Sequence, residues 1–151
     1  MDVYAYDAFC SCDCMEKERV KPTSNIEELF ETCQVVSIHI PLTPETKGSI
    51  GRKLFNNMPK NAVVINTARK EVINEAELLE VLKERADFKY VTDIQPDMHD
   101  ELIEACPDQY YSTPKKMGAQ TAEANINAGI AAAEEVVEYL KSGNEQFRVN
   151  K

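Results

Sequence analysis

Two lysines stand side by side in the stretch STPKKMGAQTAEAN (residues 112–125): Lys115 and Lys116, just ahead of a glycine and a long alanine-rich run. A helix N-terminus already carries partial positive charge, so cations are misplaced there unless they serve a purpose. They could hold an anion, or crowd one amine until it gives up its proton. Far upstream, residues 62–65 (AVVI) run into Asn66-Thr67-Ala68-Arg69. A guanidinium projected from the end of such a segment suits a carboxylate, gripped by two parallel hydrogen bonds. An ion pair with a neighbouring acid is the structural alternative. Asp7 and Asp93 each close a strand-like segment. A carboxylate at Asp7 could accept both ribose hydroxyls of an adenosine, or it could cap a turn. Asp93 leaves a functional and a structural reading equally open. His39 lies inside an apolar segment and reads as a buried, hydrogen-bonded histidine; His99 lies in an acidic stretch and reads as solvated. Cys10, Cys12 and Cys14 alternate along the chain. Three thiolates could hold a soft metal. Structural zinc needs four ligands, and neither Cys33 nor Cys106 is spaced to supply the fourth. The cluster therefore reads as a thiol-rich loop, and no metal site is expected.

The elements that must position these groups alternate. Residues 3–6 predict a strand, and Ser24 with Glu27 forms a capping box for a helix to about Thr32. Residues 35–40 predict a strand closed by Pro41, and 51–57 a short helix. Residues 62–65 are continuously apolar, the pattern of a strand buried on both faces. Asn74 and Glu77 cap a helix to about Ala86, with Leu78 and Leu82 four apart on one face. Residues 88–92 predict a strand, 97–105 a helix and 110–112 a short strand. A long helix follows from about Ala119 to Lys141, stopped by Gly143. Short apolar strands alternating with helices imply an α/β fold: a parallel sheet with crossover helices on both faces. Ligands of such sheets bind beyond the carboxyl ends of the strands. Asp7, residues 39–43, residues 66–69, Asp93 and residues 113–118 fall there. No glycine-rich phosphate loop precedes Asp7.

The chain has 151 residues, a length that suits one domain. Its 26 acidic and 17 basic side chains leave a net charge of −9, which argues against nucleic-acid binding and against an acidic membrane surface. No apolar run reaches the ~18 residues that mark a membrane span. The opening MDVYAYD lacks the basic start of a secretory signal. Five cysteines, an odd count without a regular framework, read as free thiols of a cytoplasmic protein.

Taken in order, VSIHIPLTPETKGSIG, AVVINTAR, NEAELLEVLKE, VTDI and TPKKMGAQTAEAN resemble the cofactor-binding domain of the D-2-hydroxyacid dehydrogenases, over nearly the whole chain from Val3 onward. The chain looks most like a short, phosphoglycerate-oxidising branch in which lysine stands where most relatives have histidine. The resemblance implies a Rossmann-like sheet, incomplete here because a first strand and glycine-rich loop do not precede Asp7. It implies NAD as cofactor, a small 2-hydroxy acid as substrate and a homodimer. Residues 1–143 would be a partial NAD-binding domain, and 144–151 a tail returning toward a substrate domain absent from this chain. Asp7 would hold the adenosine ribose and disfavour the 2′-phosphate of NADP. Ile40 and Pro41 would line the dinucleotide. Thr67, Ala68 and Arg69 would border the nicotinamide end, with Asp93 at the nicotinamide and Gly118 and Ala119 at its carboxamide. Arg69 matches the family's arginine that grips the substrate carboxylate and polarises the C2 oxygen.

The chain departs from the family pattern twice. The general acid/base is a histidine in Thr-Pro-His-x-Gly; here Lys115-Lys116 stands in its place, with one extra residue before Gly118. Counting back from Gly118 selects Lys116, and counting forward from Pro114 selects Lys115. The glutamate that supports the histidine would fall near Met98, where only Asp97 stands close. A histidine with a pKa near ~6.5 gains from a carboxylate partner, whereas a lysine near ~10.4 would become a poorer base beside one. A second lysine, Arg69 and a helix N-terminus would instead lower its proton affinity. The alternative is that the lysines bind phosphate while water moves the proton. The altered pattern also leaves room for a non-catalytic, NAD-sensing scaffold like the corepressors that resemble this family. The small side chains at Ala122, Ala124, Ala128 and residues 131–133 permit close helix packing, either in a dimer or within the monomer.

Overall fold

The computed structural model describes residues 1–114 and 121–149. The chain forms two units, Met1–Lys115 and Lys116–Lys151. In the first, β1 (Tyr4–Ala5) and β2 (Lys21–Pro22) pair in parallel, joined through α1 (Cys12–Lys17). Then follow α2 (Ile26–Thr32), β3 (Val35–Ile38), α3 (Arg52–Asn57), β4 (Val63–Asn66), α4 (Glu75–Glu84), β5 (Lys89–Thr92), α5 (His99–Ala105) and β6 (Tyr110–Ser112). Strands β3-β4-β5-β6 lie side by side in chain order, every pair parallel. This is the α/β architecture read from the alternating pattern. The β1–β2 ladder and the four-stranded sheet share no ladder among the described residues. In a doubly wound sheet one further strand stands between two such ladders.

The core lies on one face of the larger sheet. Val36, Val64, Tyr90 and Tyr110 are neighbours in register, and all four are buried. Phe30 of α2, Leu54 and Phe55 of α3, Leu78, Val81 and Leu82 of α4 and Leu102 of α5 join them in one cluster. Phe55 is the centre of an aromatic run, with ring centroids 6.5 Å from Phe30 and 5.4 Å from Phe88. β4, expected to be buried on both faces, is so on one: Val64 and Asn66 are buried, while Val63 and Ile65 are half-buried. The alternation follows from the pleat, because the helices send their apolar side chains to a single face.

Local capping differs from the sequence expectation in instructive ways. Asn25, not Ser24, is the N-cap of α2; its side chain accepts from the Glu28 N–H at 2.8 Å. The Glu28 carboxylate reaches back to the Ser24 N–H and hydroxyl at 2.8 and 2.7 Å. Glu28 thus reaches the residue before the cap rather than the N–H of Asn25 itself, so the expected box between Ser24 and Glu27 is replaced by this wider clasp. Asn74 caps α4 as expected. Glu77 of α4 also accepts from the Arg52 N–H at 2.7 Å and so caps α3. That approach requires glycine at position 51, where a Cβ would sit 2.1 Å from the Glu77 carboxylate. Arg85 closes the far end of α3: its guanidinium donates to the carbonyls of Phe55, Met58 and Pro59 and pairs with Asp87 at 2.9 Å. The three carbonyls run from the last turn of α3 through its C-cap, Met58, to the residue that follows it.

In the second unit, α6 (Ala122–Ser142) starts later than the expected Ala119. Thr121 is extended and accepts from the Ala124 N–H at 3.0 Å, which makes it the N-cap. Gly143 ends the helix with φ +70°, the left-handed stop that its residue type predicts. No residue of α6 is buried, and Ile126, Ile130, Val137 and Leu140 are exposed.

Candidate active site

Register brings the strand ends level. Ile38, Asn66, Thr92 and Ser112 are successive partners across the sheet. The segments carrying Ile40 and Pro41, Thr67 to Arg69, Asp93 and Thr113 therefore leave one edge side by side. This is the edge where open α/β sheets bind ligands.

Asn66 organises the centre of that edge. It is fully buried, at the end of an otherwise apolar strand. Its side-chain NH2 donates to the Arg69 carbonyl at 3.0 Å and to the Tyr90 hydroxyl at 3.2 Å, and its side-chain oxygen accepts from the Ala68 N–H at 3.0 Å. These bonds fold residues 66–69 into a fixed turn. The Thr92 hydroxyl lies 2.8 Å from the Asn66 carbonyl and accepts from the Ile94 N–H, tying the neighbouring strand end to the same point. Burial pushes the Tyr90 phenol up to about 12, so it stays neutral in this network. In the sequence Asn66 stands out only as part of the segment before Arg69. The available signal was a single amide closing an apolar run, which must be hydrogen-bonded if buried.

Arg69 leaves this turn exposed, with extended backbone. Its guanidinium donates to the Ala68 carbonyl at 2.9 Å. Among the described residues it has no ion pair, so the alternative of a structural Arg–acid bridge is not realised there. Asp93 follows β5 on the same edge. Its Oδ1 is buried and has no hydrogen-bond partner among the described residues. An orphaned carboxylate oxygen in such a place invites a donor. Asp97 is exposed and bonded to Lys70, an ion pair that raises the Lys70 pKa. The backbone N–H groups of Asp97 and Met98 donate to the Glu75 carboxylate at 3.2 and 2.9 Å. Lys70 and Glu75, which sequence reasoning passed over, thus fix the loop entering α5.

Asp7 uses Oδ1 to accept from the N–H groups of Phe9 and Cys10 at 2.7 and 2.9 Å, and Oδ2 accepts none among the described residues. The turn cap is present, and half the carboxylate stays open. The two histidines differ from expectation. β3 ends at Ile38, so His39 lies past the strand, exposed and 2.8 Å from the Ser37 hydroxyl. His99 is half-buried, with Nδ1 2.8 Å from the Tyr110 hydroxyl and its ring edge-on to that tyrosine. The end of a parallel strand turns a side chain outward, while Tyr110 offers His99 a polar partner at the edge of the core. Lys115, Lys116, Gly118 and Ala119 lie outside the described residues. No group of acidic, histidine or cysteine side chains suited to a metal ion occurs among the described residues.

The residues present suit a dinucleotide: among the described residues Asp7 Oδ2 and the buried Asp93 Oδ1 accept no hydrogen bond, and Arg69, between them in chain order, has no acid partner. The D-isomer specific 2-hydroxyacid dehydrogenase, NAD binding domain family matches residues 1–112. The chain is 34% identical over 144 residues to a D-3-phosphoglycerate dehydrogenase of Methanocaldococcus jannaschii, covering 93% of this chain and 27% of that protein. A D-3-phosphoglycerate dehydrogenase of Bacillus subtilis is 31% identical over 144 residues, with the same coverage. Among solved structures, NAD+-bound 3-phosphoglycerate dehydrogenase of Entamoeba histolytica matches with TM-score 0.81 and 42% identity, over 97% of this chain and 46% of that one. The chain thus spans about a quarter of those curated relatives and just under half of that solved chain. By a family match that covers residues 1–112, this chain belongs to the NAD-binding domain family of the D-isomer specific 2-hydroxyacid dehydrogenases.

Proposed function

We propose that the chain contributes cofactor and catalytic groups to NAD-dependent oxidation of a D-2-hydroxy acid. The substrate is D-3-phosphoglycerate, converted to 3-phosphohydroxypyruvate at the first step of phosphorylated serine biosynthesis. One observation carries the reading: Arg69 is exposed at the carboxyl edge of the sheet, its backbone carbonyl held by a buried amide and its guanidinium without an acid partner among the described residues. The substrate is favoured by the names of the relatives at 31–34% identity and of the NAD+-bound structure.

The bound dinucleotide supplies a hydride acceptor. This chain's own residues do the rest. Oδ2 of Asp7 accepts from the adenosine ribose, and Ile40 and Pro41 give the dinucleotide an apolar wall. Asp93 accepts from the nicotinamide side, beside Thr67 and Ala68, and Gly118 and Ala119 border its carboxamide. Arg69 grips the substrate carboxylate and stabilises negative charge on the C2 oxygen. Lys116, or its neighbour Lys115, takes the hydroxyl proton in oxidation and returns it in reduction. Asp97, the carboxylate nearest the place of the family's glutamate, is engaged by Lys70. That ion pair keeps its charge from raising the proton affinity of the catalytic lysine. The same reading makes the protein a cytoplasmic homodimer acting on a small soluble acid, with residues 1–143 as the cofactor domain and 144–151 turning toward the substrate domain.

The test is turnover of D-3-phosphoglycerate with NAD+ by the full-length protein, followed as reduced nicotinamide. Arg69→Ala should lower kcat/KM by ~10²–10³-fold, the usual loss when one transition-state donor is removed, without changing the unfolding midpoint. Oxidation should speed up well into alkaline pH, as a lysine base requires. A base limb near ~6.5 that survives Lys116→Ala and Lys115→Ala would remove the lysine from the mechanism. NAD+ binding without turnover of any hydroxy acid would favour the corepressor-like scaffold instead.

A further inference from the structure

The cysteines beside Asp7 are not used by the mechanism above. Cys12 and Cys14 are exposed and Cys10 is partly exposed, whereas Cys106 is buried. Cys10 lies one residue before the Ser11 N-cap of α1, and Cys14 is in the first turn of that helix. Both meet the same oxygen: the Ser11 carbonyl accepts from the Cys14 N–H at 3.1 Å and from the Cys10 thiol at 3.6 Å. The Cys14 side chain is also the largest influence on the Cys10 thiol, whose pKa it raises. Cys12 is excluded as a partner of Cys14, because residues two apart on a helix do not face each other. The backbone N–H of Cys10 is one of the two donors that hold Asp7 Oδ1.

We propose that Cys10 and Cys14 form a reversible intrachain disulfide under peroxide, and that this bridge loosens the turn organised by Asp7 and so weakens dinucleotide binding. The first part stands on the thiol pair alone; the effect on binding rests on the role proposed for Asp7. The Cys14 thiolate attacks hydrogen peroxide, giving a sulfenic acid and hydroxide, which takes up a proton as water. The Cys10 sulfur then displaces the sulfenic hydroxyl, forming the S–S bond and a second water. Two thiols are oxidised and one peroxide is reduced. Drawing Cys10 toward the helix pulls its N–H from Asp7, and binding energy linked to that carboxylate falls. By reciprocity, bound dinucleotide protects the thiols.

Treatment of the full chain with stoichiometric hydrogen peroxide, followed by non-reducing peptide mapping, tests the bridge. The expected product is a Cys10–Cys14 crosslink, with loss of two hydrogens from the intact mass and reversal by dithiothreitol. Cys12→Ser should retain it and Cys14→Ser should abolish it. The amides of Phe9 and Cys10 should exchange hydrogen faster in the oxidised form, a readout independent of any ligand. In the full-length protein the dissociation constant for NAD+ should rise about tenfold on oxidation and recover on reduction. A bridge that uses Cys12, links two chains or fails to form overturns the site. A Cys10–Cys14 bridge with unchanged amide exchange overturns the coupling to Asp7. Faster exchange with unchanged NAD+ affinity places the failure in the role given to Asp7.

Discussion

Asn66 shows how one side chain can set a site that it does not itself occupy. A buried amide at a strand end is costly unless its donors and acceptor are matched, and here each has a partner within the turn or on Tyr90. Asn66→Ala removes those bonds, including the amide that holds the Arg69 carbonyl and the Tyr90 hydroxyl. It should lower the unfolding free energy by about 1–3 kcal/mol, read as a drop in urea midpoint at constant slope. In the full-length protein the same change should lower kcat/KM through Arg69, since the carbonyl of Arg69 is what Asn66 holds. Asn66→Asp should be worse for folding, because it leaves a buried charge facing the Arg69 carbonyl and the Tyr90 hydroxyl. A side chain that merely filled space would show neither difference.

The segment after α4 illustrates how helices and strands are stapled together. Arg85 satisfies three carbonyls at the end of α3 and holds Asp87, which also accepts from the Asn61 N–H at 2.8 Å. Hydrogen bonding from Arg85, then from Asn61, lowers the Asp87 carboxyl from its ordinary 3.8 to about 2. The folded-state pKa is depressed, so the contribution to stability is fully present above the ordinary value and is lost as pH falls through the folded one. Unfolding midpoints should therefore decline between about pH 4 and pH 2. Asp87→Asn should flatten that decline while lowering stability at neutral pH; an unchanged acid profile would show that the pair contributes nothing to it.

Across the chain, the two units have different means of support. Met1–Lys115 holds the buried cluster, whereas α6 buries no residue. A chain ending at Thr113 should therefore still unfold cooperatively, because every residue of the buried cluster precedes that point. Its circular dichroism should lose the signal of one 21-residue helix. A collapse of the midpoint would show that α6 stabilises the sheet. The family match covers residues 1–112, within the first unit. Helical periodicity reports that a helix forms; it does not report which body the helix packs against.

Order and type of the elements, the family, the strand-end residues and the helix stop at Gly143 could all be read along the chain. Each depends on neighbours a few residues apart: apolar runs, caps and a left-handed glycine. Other features required distant segments to meet. Asn25 rather than Ser24 became the cap of α2, although both side chains suit that place. The Glu77 carboxylate, arriving from another helix, comes as close as it does because Gly51 has no Cβ. His99 found Tyr110 eleven positions away, and Asp97 was taken by Lys70 across twenty-seven. Whether Asp93 keeps an unmatched oxygen depends on every group that might have reached it. Local sequence specifies backbone conformation because its energies act within a turn or two, whereas the pairing of polar groups follows from which surfaces the folded sheet brings into contact.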